Sequence, residues 1–218
     1  MKKRLLPFLL LVGLLGAVLT GCGGGSTEET PETRAAANAI TVGIAQDLDS
    51  SLDPHKTVKA GTREVMFNVF EGLMKPTPEG DPIPAVADSY TISDDETVYT
   101  FTLRQGVKFH NGDTVDAADV VWSLERCIDP QEADVVPVDG FSIIASVEAA
   151  DEQTVVIPLT EPSNEFVSYL TTAILPADYD QQDTAPVGTG PFRFVSRTAQ
   201  DSIVLEKFDG YWGTPAYL

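Results

Sequence analysis

The sequence predicts a mixed α/β fold, of the α+β kind, because segments with the periodicity of strands are interspersed with segments of helical periodicity. A strand-like alternation opens the body of the chain at Ile40, Val42 and Ile44. One apolar helical face is formed by Val65, Met66, Val69, Phe70 and Leu73. The chain has 218 residues, of which 43% are hydrophobic and 22% charged, so it can bury a sizeable core.

The N-terminal segment has the features of an export signal. Residues 2–4 are basic, and residues 5–19 form an apolar run that is shorter than the roughly 20 residues a membrane-spanning helix needs. Residues 19–22, LTGC, resemble the lipobox of bacterial lipoproteins. The resemblance implies that residues 1–21 are a signal peptide and that diacylglycerol is attached to the thiol of Cys22. The alternative is an ordinary cleaved signal followed by a chance cysteine.

Residues 22–37 are predicted to be the lipidated cysteine and a flexible tether. Gly, Thr, Glu and Pro are frequent from Gly23 to Ala37, without a hydrophobic period. A flexible chain of this length spans about 20 Å root-mean-square. We therefore expect a body anchored to the cell membrane on its extracytoplasmic face.

Residues 40–89 are predicted to form a strand, a loop, a helix and an irregular crossing. Turn-forming residues predict the loop at 47–56. The helix is expected to begin with Thr62 as its N-cap and to end near Gly72. Residues 74–89 contain four prolines and one glycine, so we expect the chain to cross there from one structural unit to another.

Residues 98–170 predict a small sheet with two helices. Alternation predicts a strand over 98–104, then a short strand at Val107 and Phe109 that ends in the turn HNGD. Asp116 is placed as the N-cap of a helix, with Asp119 in its first turn. A hairpin over 146–159 and a short helix over 163–170 are expected to follow.

The segment VGTGPF, residues 187–192, predicts a rigid bend, because its glycines and proline suit neither a helix nor a central strand. Alternating residues at 192–195 and apolar residues at 203–208 then predict two more strands. The chain is therefore expected to return to sheet after the bend.

The charge of the chain argues against nucleic acid as a partner. The sequence has 33 acidic and 14 basic residues, a formal net charge of −19. Such a surface repels phosphate backbones.

The cysteine content excludes an intramolecular disulfide in a lipidated chain. If Cys22 carries the lipid, Cys127 is the one remaining thiol. We expect Cys127 to be a buried small hydrophobe, not a reactive thiol, because of its apolar helical face. That face is shared with Val120, Val121, Leu124 and Ile128.

No motif for catalysis, a cofactor or a metal is found. The two histidines, His55 and His110, are far apart in the sequence and belong to no metal-binding motif. A nucleophile elbow and a phosphate-binding loop are also missing from the sequence. Asp116 and Asp119 could be read as catalytic carboxylates, but helix capping explains them better. We predict that the chain is not an enzyme.

Six blocks, taken together and in this order, resemble one protein family. They are SLDPHK (51–56), VFEGL (69–73), YTFTLRQGVKFHNGD (99–113), DAADVVWSLER (116–126), VEAADEQTVVIPL (147–159) and PVGTGPFRF (186–194). Over residues 40–217 the chain is similar to family 5 of the extracellular solute-binding proteins, the peptide, nickel and opine receptors of ABC importers. One departure is Tyr90, where the family usually has tryptophan.

The resemblance implies a periplasmic-binding-protein-like type II fold, in which two lobes close over a ligand. Residues 38–73 would be the first segment of lobe I, residues 74–176 a small inserted α/β domain, and residues 177–218 the second segment of lobe I. Family members are usually much longer. We therefore expect an N-terminal fragment or a truncated gene product, without the binding residues of the second lobe.

The resemblance also implies a function, the capture of oligopeptides or dipeptides for delivery to an ABC permease and its ATPase. Peptide binders of the family hold the ligand main chain as an added strand, partly through the loop after the LDPH block. In this sequence that loop consists of Thr57, Val58, Lys59, Ala60 and Gly61. The implied receptor is a monomer without a cofactor or metal.

Several alternatives stay open at this point. The same class of receptor can take a nickel chelate, an opine, haem or an oligosaccharide. A different class would be a surface lipoprotein such as an adhesin or chaperone, or an exported enzyme.

Overall fold

The computed structural model describes residues 39–217, which contain both helices and antiparallel sheets, so the predicted mixed α/β class is confirmed. The helices are α1 (Ala60–Met66), α2 (Ala117–Ile128) and α3 (Phe166–Tyr169). The strands are β1 (Met74–Pro76), β2 (Pro82–Pro84), β3 (Ala87–Ile92), β4 (Val98–Leu103), β5 (Glu148–Asp151), β6 (Thr154–Pro158), β7 (Phe192–Thr198) and β8 (Ser202–Lys207). A 3₁₀ turn covers Asp139–Phe141.

The central element is a four-stranded antiparallel sheet in the order β3-β4-β6-β5. Along β4, Tyr99, Phe101 and Leu103 are buried, as the alternation of residues 98–104 predicts. Opposite Phe101 lies Val155 of β6, which is also buried. The β5–β6 pairing confirms the hairpin predicted over 146–159.

Two expectations for the N-terminal part of the body are wrong. Ile40, Val42 and Ile44 form no strand and are exposed, because no strand in the described part of the chain lies beside them to complete a ladder. The prediction of an irregular crossing at 74–89 misses the antiparallel pair β1–β2. Prolines are tolerated there because the pair has no third strand that needs their N–H groups.

Helix α1 both begins and ends earlier in the chain than the sequence predicts. Its N-cap is Lys59, and Thr62 is a buried helical residue whose hydroxyl accepts a hydrogen bond from the Asp49 N–H (2.7 Å). After Met66 the chain turns, and at Gly72 it passes against the backbone of another segment. A Cβ atom at Gly72 would lie 2.6 Å from the Thr172 carbonyl oxygen, so a helix with side chains on every face cannot continue there.

Helix α2 is capped as its sequence predicts. The Asp116 carboxylate accepts hydrogen bonds from the N–H groups of Ala118 (2.8 Å) and Asp119 (3.2 Å). In return, the Asp119 carboxylate accepts from the Asp116 N–H (3.1 Å), which completes a capping box. The predicted burial of Cys127 is confirmed, and desolvation raises the pKa of its thiol to about 12.

Three smaller predictions have mixed outcomes. The short helix predicted over 163–170 is present as α3, and the two strands after the bend at 187–192 are present as β7 and β8. Val107 and Phe109 are buried but form no strand, since only a single bridge joins Lys108 to Thr114. Among the described residues no helix is long and apolar enough to cross a membrane.

The buried side chains fall into two clusters. The larger one lies between the central sheet, α2 and α3, and its members run from Leu73 to Ile174. The smaller one surrounds α1 and consists of Leu48, Leu52, Met66, Val69, Phe70, Ala173 and Leu175. The domain boundaries proposed at residues 74 and 177 stay predictions.

Candidate functional site

The five residues of the candidate binding loop connect a turn at 54–56 to helix α1. Thr57 is buried, Val58 is exposed, and Lys59 is the N-cap of the helix. Ala60 and Gly61 already belong to the first turn of α1. The segment thus consists of three residues outside regular secondary structure, the last of them extended, followed by two helical residues.

Internal hydrogen bonds fix the start of this segment. The Thr57 N–H donates to the Asp53 carbonyl (3.1 Å), and the Lys59 N–H donates to the Asp49 carboxylate (3.0 Å). The Thr57 carbonyl accepts from Nε and Nη2 of Arg63 (3.3 and 3.2 Å). Desolvation acts to raise the pKa of Asp49, but hydrogen bonds, the one from the Lys59 N–H foremost, hold it below its usual value. Hydrogen bonds within the chain therefore hold the loop in a defined conformation.

Three backbone groups of the segment have neither a backbone nor a side-chain hydrogen-bond partner in the described part of the chain. They are the carbonyl of Val58 and the N–H groups of Ala60 and Gly61. A Cβ atom at Gly61 would make only ordinary van der Waals contact with Gln46, at 3.8 Å from its carbonyl oxygen. These groups can hydrogen-bond to the main chain of an approaching molecule.

A network of charged side chains connects the residues directly before the loop to helix α2. Asp53 is 2% exposed, and its carboxylate accepts hydrogen bonds from both terminal nitrogens of Arg126 on α2 (3.2 and 2.8 Å). Arg126 also pairs with Glu132 (2.9 Å), which in turn pairs with Lys56 (2.9 Å). Hydrogen bonds from Arg126 and Lys56 lower the pKa of the Glu132 carboxyl to about 2. The network ties the loop to α2.

His55 belongs to the same network as a buried neutral group. Its Nε2 atom lies 2.9 Å from the Ala173 carbonyl, and its Nδ1 atom lies 3.3 Å from Nη1 of Arg126. Because arginine only donates, Nδ1 accepts and Nε2 carries the proton. Desolvation lowers the pKa of His55.

A cavity of about 360 Å³ opens beside the loop. It lies between the turn at His55, helix α1, and residues 136–138 and 171–173. Of the five predicted loop residues, Thr57 lines it, whereas Val58, Lys59, Ala60 and Gly61 do not. Arg63 and Phe67, which the sequence analysis did not single out, also line it.

A second cavity, of about 530 Å³, lies on the other side of α2 and is lined by Trp122, Arg126, Glu132, Ile144 and Val147, among others. It is remote from the candidate loop in sequence and shares only Arg126 and Glu132 with the network behind it. Within residues 39–217, no group of three histidine, cysteine, aspartate or glutamate side chains is placed to hold a metal ion. Neither site thus offers a metal centre.

The chain matches one family model and is similar in sequence to curated proteins. Residues 81–218 match the family model described as bacterial extracellular solute-binding proteins, family 5 Middle. The glutathione-binding protein GsiB of Pectobacterium atrosepticum is 37% identical over 171 residues, which cover 75% of this chain and 33% of that protein. The chain therefore spans about a third of the length of this curated relative.

Solved structures share the fold. DppA of Helicobacter pylori, in complex with the peptide STSA, matches with a TM-score of 0.71 and 31% identity, over 78% of this chain and 39% of DppA. AgaA of Agrobacterium tumefaciens R10, in complex with agropinic acid, matches with a TM-score of 0.68 and 37% identity, over 76% of this chain and 35% of AgaA. Both are periplasmic binding proteins by name, so the described residues have a periplasmic-binding-protein-like fold.

Proposed function

Because this chain belongs to the bacterial extracellular solute-binding proteins of family 5, we propose that it captures oligopeptides or dipeptides outside the membrane and delivers them to an ABC permease and its ATPase. The observation that carries the proposal is the fixed loop, in which three backbone groups have no partner among the described residues and Thr57 lines a cavity. The Val58 carbonyl and the Ala60 and Gly61 N–H groups would hydrogen-bond to the peptide main chain as an adjacent strand does. Capture and release make and break no covalent bond, so no catalytic group is required.

The proposed receptor is a monomer held at the extracytoplasmic face of the membrane by a lipid on Cys22. Cys22 and the tether up to residue 37 lie outside the residues that the structure describes. The support is the sequence LTGC after an apolar run. Two acyl chains anchor stably, whereas one gives marginal and reversible binding.

Two substitutions test the loop. The fold accommodates both of them, but each would remove or block a proposed hydrogen bond to the peptide main chain. Ala60 is the first residue of α1, so Ala60→Pro removes a donor without breaking a helix hydrogen bond. Lys59 already has the extended angles, φ −75° and ψ 135°, that are favoured before proline. Gly61→Ala adds a methyl group that the protein accommodates, 3.8 Å from the Gln46 carbonyl oxygen, next to an N–H group that is proposed to bind the peptide.

The measurement uses the protein expressed from its own gene and a mixture of random tripeptides. Peptides retained through gel filtration are identified and counted by mass spectrometry. We expect each variant to retain about tenfold less peptide than the wild type, since hydrogen bonds to the main chain are lost or blocked. Thermal stability without peptide should stay equal or rise, because both changes restrict the unfolded chain.

Gly43→Ala is the matched control, because Gly43 has no heavy atom within 4 Å of an added Cβ and lies outside the loop. It should retain peptide as the wild type does. Full retention by both loop variants would remove the loop from the proposal. A wild-type protein that retains no peptide would show that peptides are not the solute.

An opine is the second candidate solute, favoured by the 37% identity to AgaA, which was solved with agropinic acid. The same loop groups could bind the polar backbone of an amino-acid conjugate. Titration calorimetry with agropinic acid separates the two candidates. Heat of binding from this compound, together with no tripeptide retained through gel filtration, would favour the opine.

A further inference from the structure

We infer that Arg63 is a specificity-determining residue that pairs with a carboxylate of the solute in the cavity beside the loop. The inference rests on the proposed function, since it concerns the chemistry of the same solute. It assigns the solute to the class of carboxylate-bearing peptides, with the acid group directed toward helix α1.

The first observation is the absence of a carboxylate partner at Arg63. Within residues 39–217 the other four arginines each lie within 4.0 Å of an aspartate or glutamate oxygen. These are Arg104, Arg126, Arg193 and Arg197. Acidic residues outnumber basic ones 33 to 14 in this chain, so an arginine without such a pair is unusual here.

The second observation is the chemistry of the cavity that Arg63 lines. No aspartate or glutamate is among the lining residues, and Arg63 is the one lining side chain with a permanent charge. His55, which also lines it, carries no proton on Nδ1, because this atom accepts a hydrogen bond from Arg126. Much of the remaining wall is apolar, formed by Met66, Phe67, Phe70, Val136, Pro137 and Val138. A single cation in an apolar wall attracts a single anionic group.

The third observation is the geometry of the guanidinium group. Nε and Nη2 both donate to the Thr57 carbonyl, and Nη1 has no described acceptor. A guanidinium carries five N–H donors, so at least the two on Nη1 stay available. The hydrogen bonds to Thr57 hold the planar group in place, which reduces the entropy lost when a carboxylate binds.

The fourth observation is the position of Arg63 relative to the loop. It contacts Thr57, the first residue of the segment proposed to bind the peptide main chain. A peptide paired along this segment would thus bring a carboxylate from its terminus or from an acidic side chain within reach of the guanidinium group. The volume of about 360 Å³ lies within the range of ordinary ligand pockets.

The test compares peptides that differ only in charge, with the protein expressed from its own gene. One pair of random tripeptide mixtures has free or amidated C-termini. The other pair has amidated C-termini throughout and carries either Glu or Gln at the middle position. Retention of each mixture is measured by mass spectrometry for the wild type, Arg63→Gln and Arg63→Lys.

In one of the two pairs, we expect the wild type to retain about tenfold more of the acidic mixture than of the neutral mixture, as for a charge-assisted hydrogen bond. Arg63→Gln should abolish the preference, so that it retains the acidic and the neutral mixture equally, and Arg63→Lys should keep part of the preference. The pair that shows the preference identifies whether the carboxylate is terminal or on a side chain. A purely structural role for Arg63 would instead lower the retention of both members equally.

Lys207→Gln is the matched control, because it removes the same charge from an exposed site at the end of β8. It should leave the preference unchanged. A wild type that binds peptides without preference in either pair, or an Arg63→Gln variant that keeps the preference, would overturn the inference and leave the peptide function standing. A wild type that binds none of the mixtures would overturn both.

Discussion

The carboxylate of Asp53 and the guanidinium group of Arg126 lie 2.8 Å apart, and both side chains are almost excluded from water. Asp53 precedes the candidate loop, and Arg126 lies on α2, 73 residues later in the chain. The pair therefore holds together two parts of the chain that are distant in sequence, next to the turn that precedes the proposed binding segment. Removing one partner leaves the other charge buried without compensation.

We expect Arg126→Met to lower the free energy of unfolding by about 3 kcal/mol or more, because the buried Asp53 side chain then loses the guanidinium group that it pairs with. Chemical denaturation measures the change. The control is Arg193→Met, which breaks the pair with Glu206, whose side chains are both about half exposed. That loss should stay below about 1 kcal/mol. Equal losses for the two variants would contradict the role assigned to burial.

We expect His110 to make the protein less stable in acid. Desolvation lowers its pKa to about 4 from the ordinary 6.5, and the ring bridges the Gly190 carbonyl (2.9 Å) and the Gly188 N–H (3.3 Å). Between these two values the unfolded chain binds the proton and the folded chain does not. Stability is therefore complete above the unfolded pKa and falls as the pH drops from about 6.5 toward 4, by up to about 3 kcal/mol.

The measurement compares unfolding free energies of the wild type and His110→Gln at about pH 7 and about pH 4.5. His55 and Glu132 are the same in both proteins, so their contributions cancel in the difference. The wild type should lose more stability than the variant on acidification. Parallel pH curves would exclude His110 as the source.

We expect the capping box of α2 to contribute modestly to stability. Asp116→Ala removes the acceptor for the N–H groups of Ala118 and Asp119 and should cost about 1 kcal/mol in urea unfolding. Asp116→Ser keeps an acceptor oxygen and should cost much less. If both substitutions cost the same, the carboxylate acts through its charge and not through the cap.

We expect Cys127 to be inert in the folded protein. It is 1% exposed, and burial raises the pKa of its thiol to about 12, so little thiolate forms near neutral pH. A thiol reagent followed by peptide mass mapping should label Cys127 only after denaturation. Rapid labelling under native conditions would show that α2 opens readily.

Local patterns predict those elements whose partners are close in the sequence. The capping box at Asp116 and Asp119 and the 146–159 hairpin depend on contacts within a few residues, and both are present. Ile40 to Ile44 has the alternation of a strand but no neighbouring strand in the described chain, so alternation alone misleads. The close approach of residues 170–172 to Gly72, which excludes a helix as far as the predicted end, is recorded by no local pattern.

The candidate loop at residues 57–61 stays a prediction, which rests on a resemblance over several blocks of the sequence. The pairing of Asp53 with Arg126 joins residues 73 positions apart, and a single sequence contains no signal for it. Arg63 could have been noticed as a cation on the polar side of a predicted helix, but only the three-dimensional structure shows that no carboxylate of residues 39–217 pairs with it.

The hydrogen bonds from the Thr57 and Lys59 N–H groups to Asp53 and Asp49 fix the backbone angles of the candidate loop during folding. The conformational entropy of the segment is then lost before any encounter, so an arriving molecule gives up only its own freedom of motion. Association would be limited by diffusion and orientation, without a step in which the protein segment orders itself.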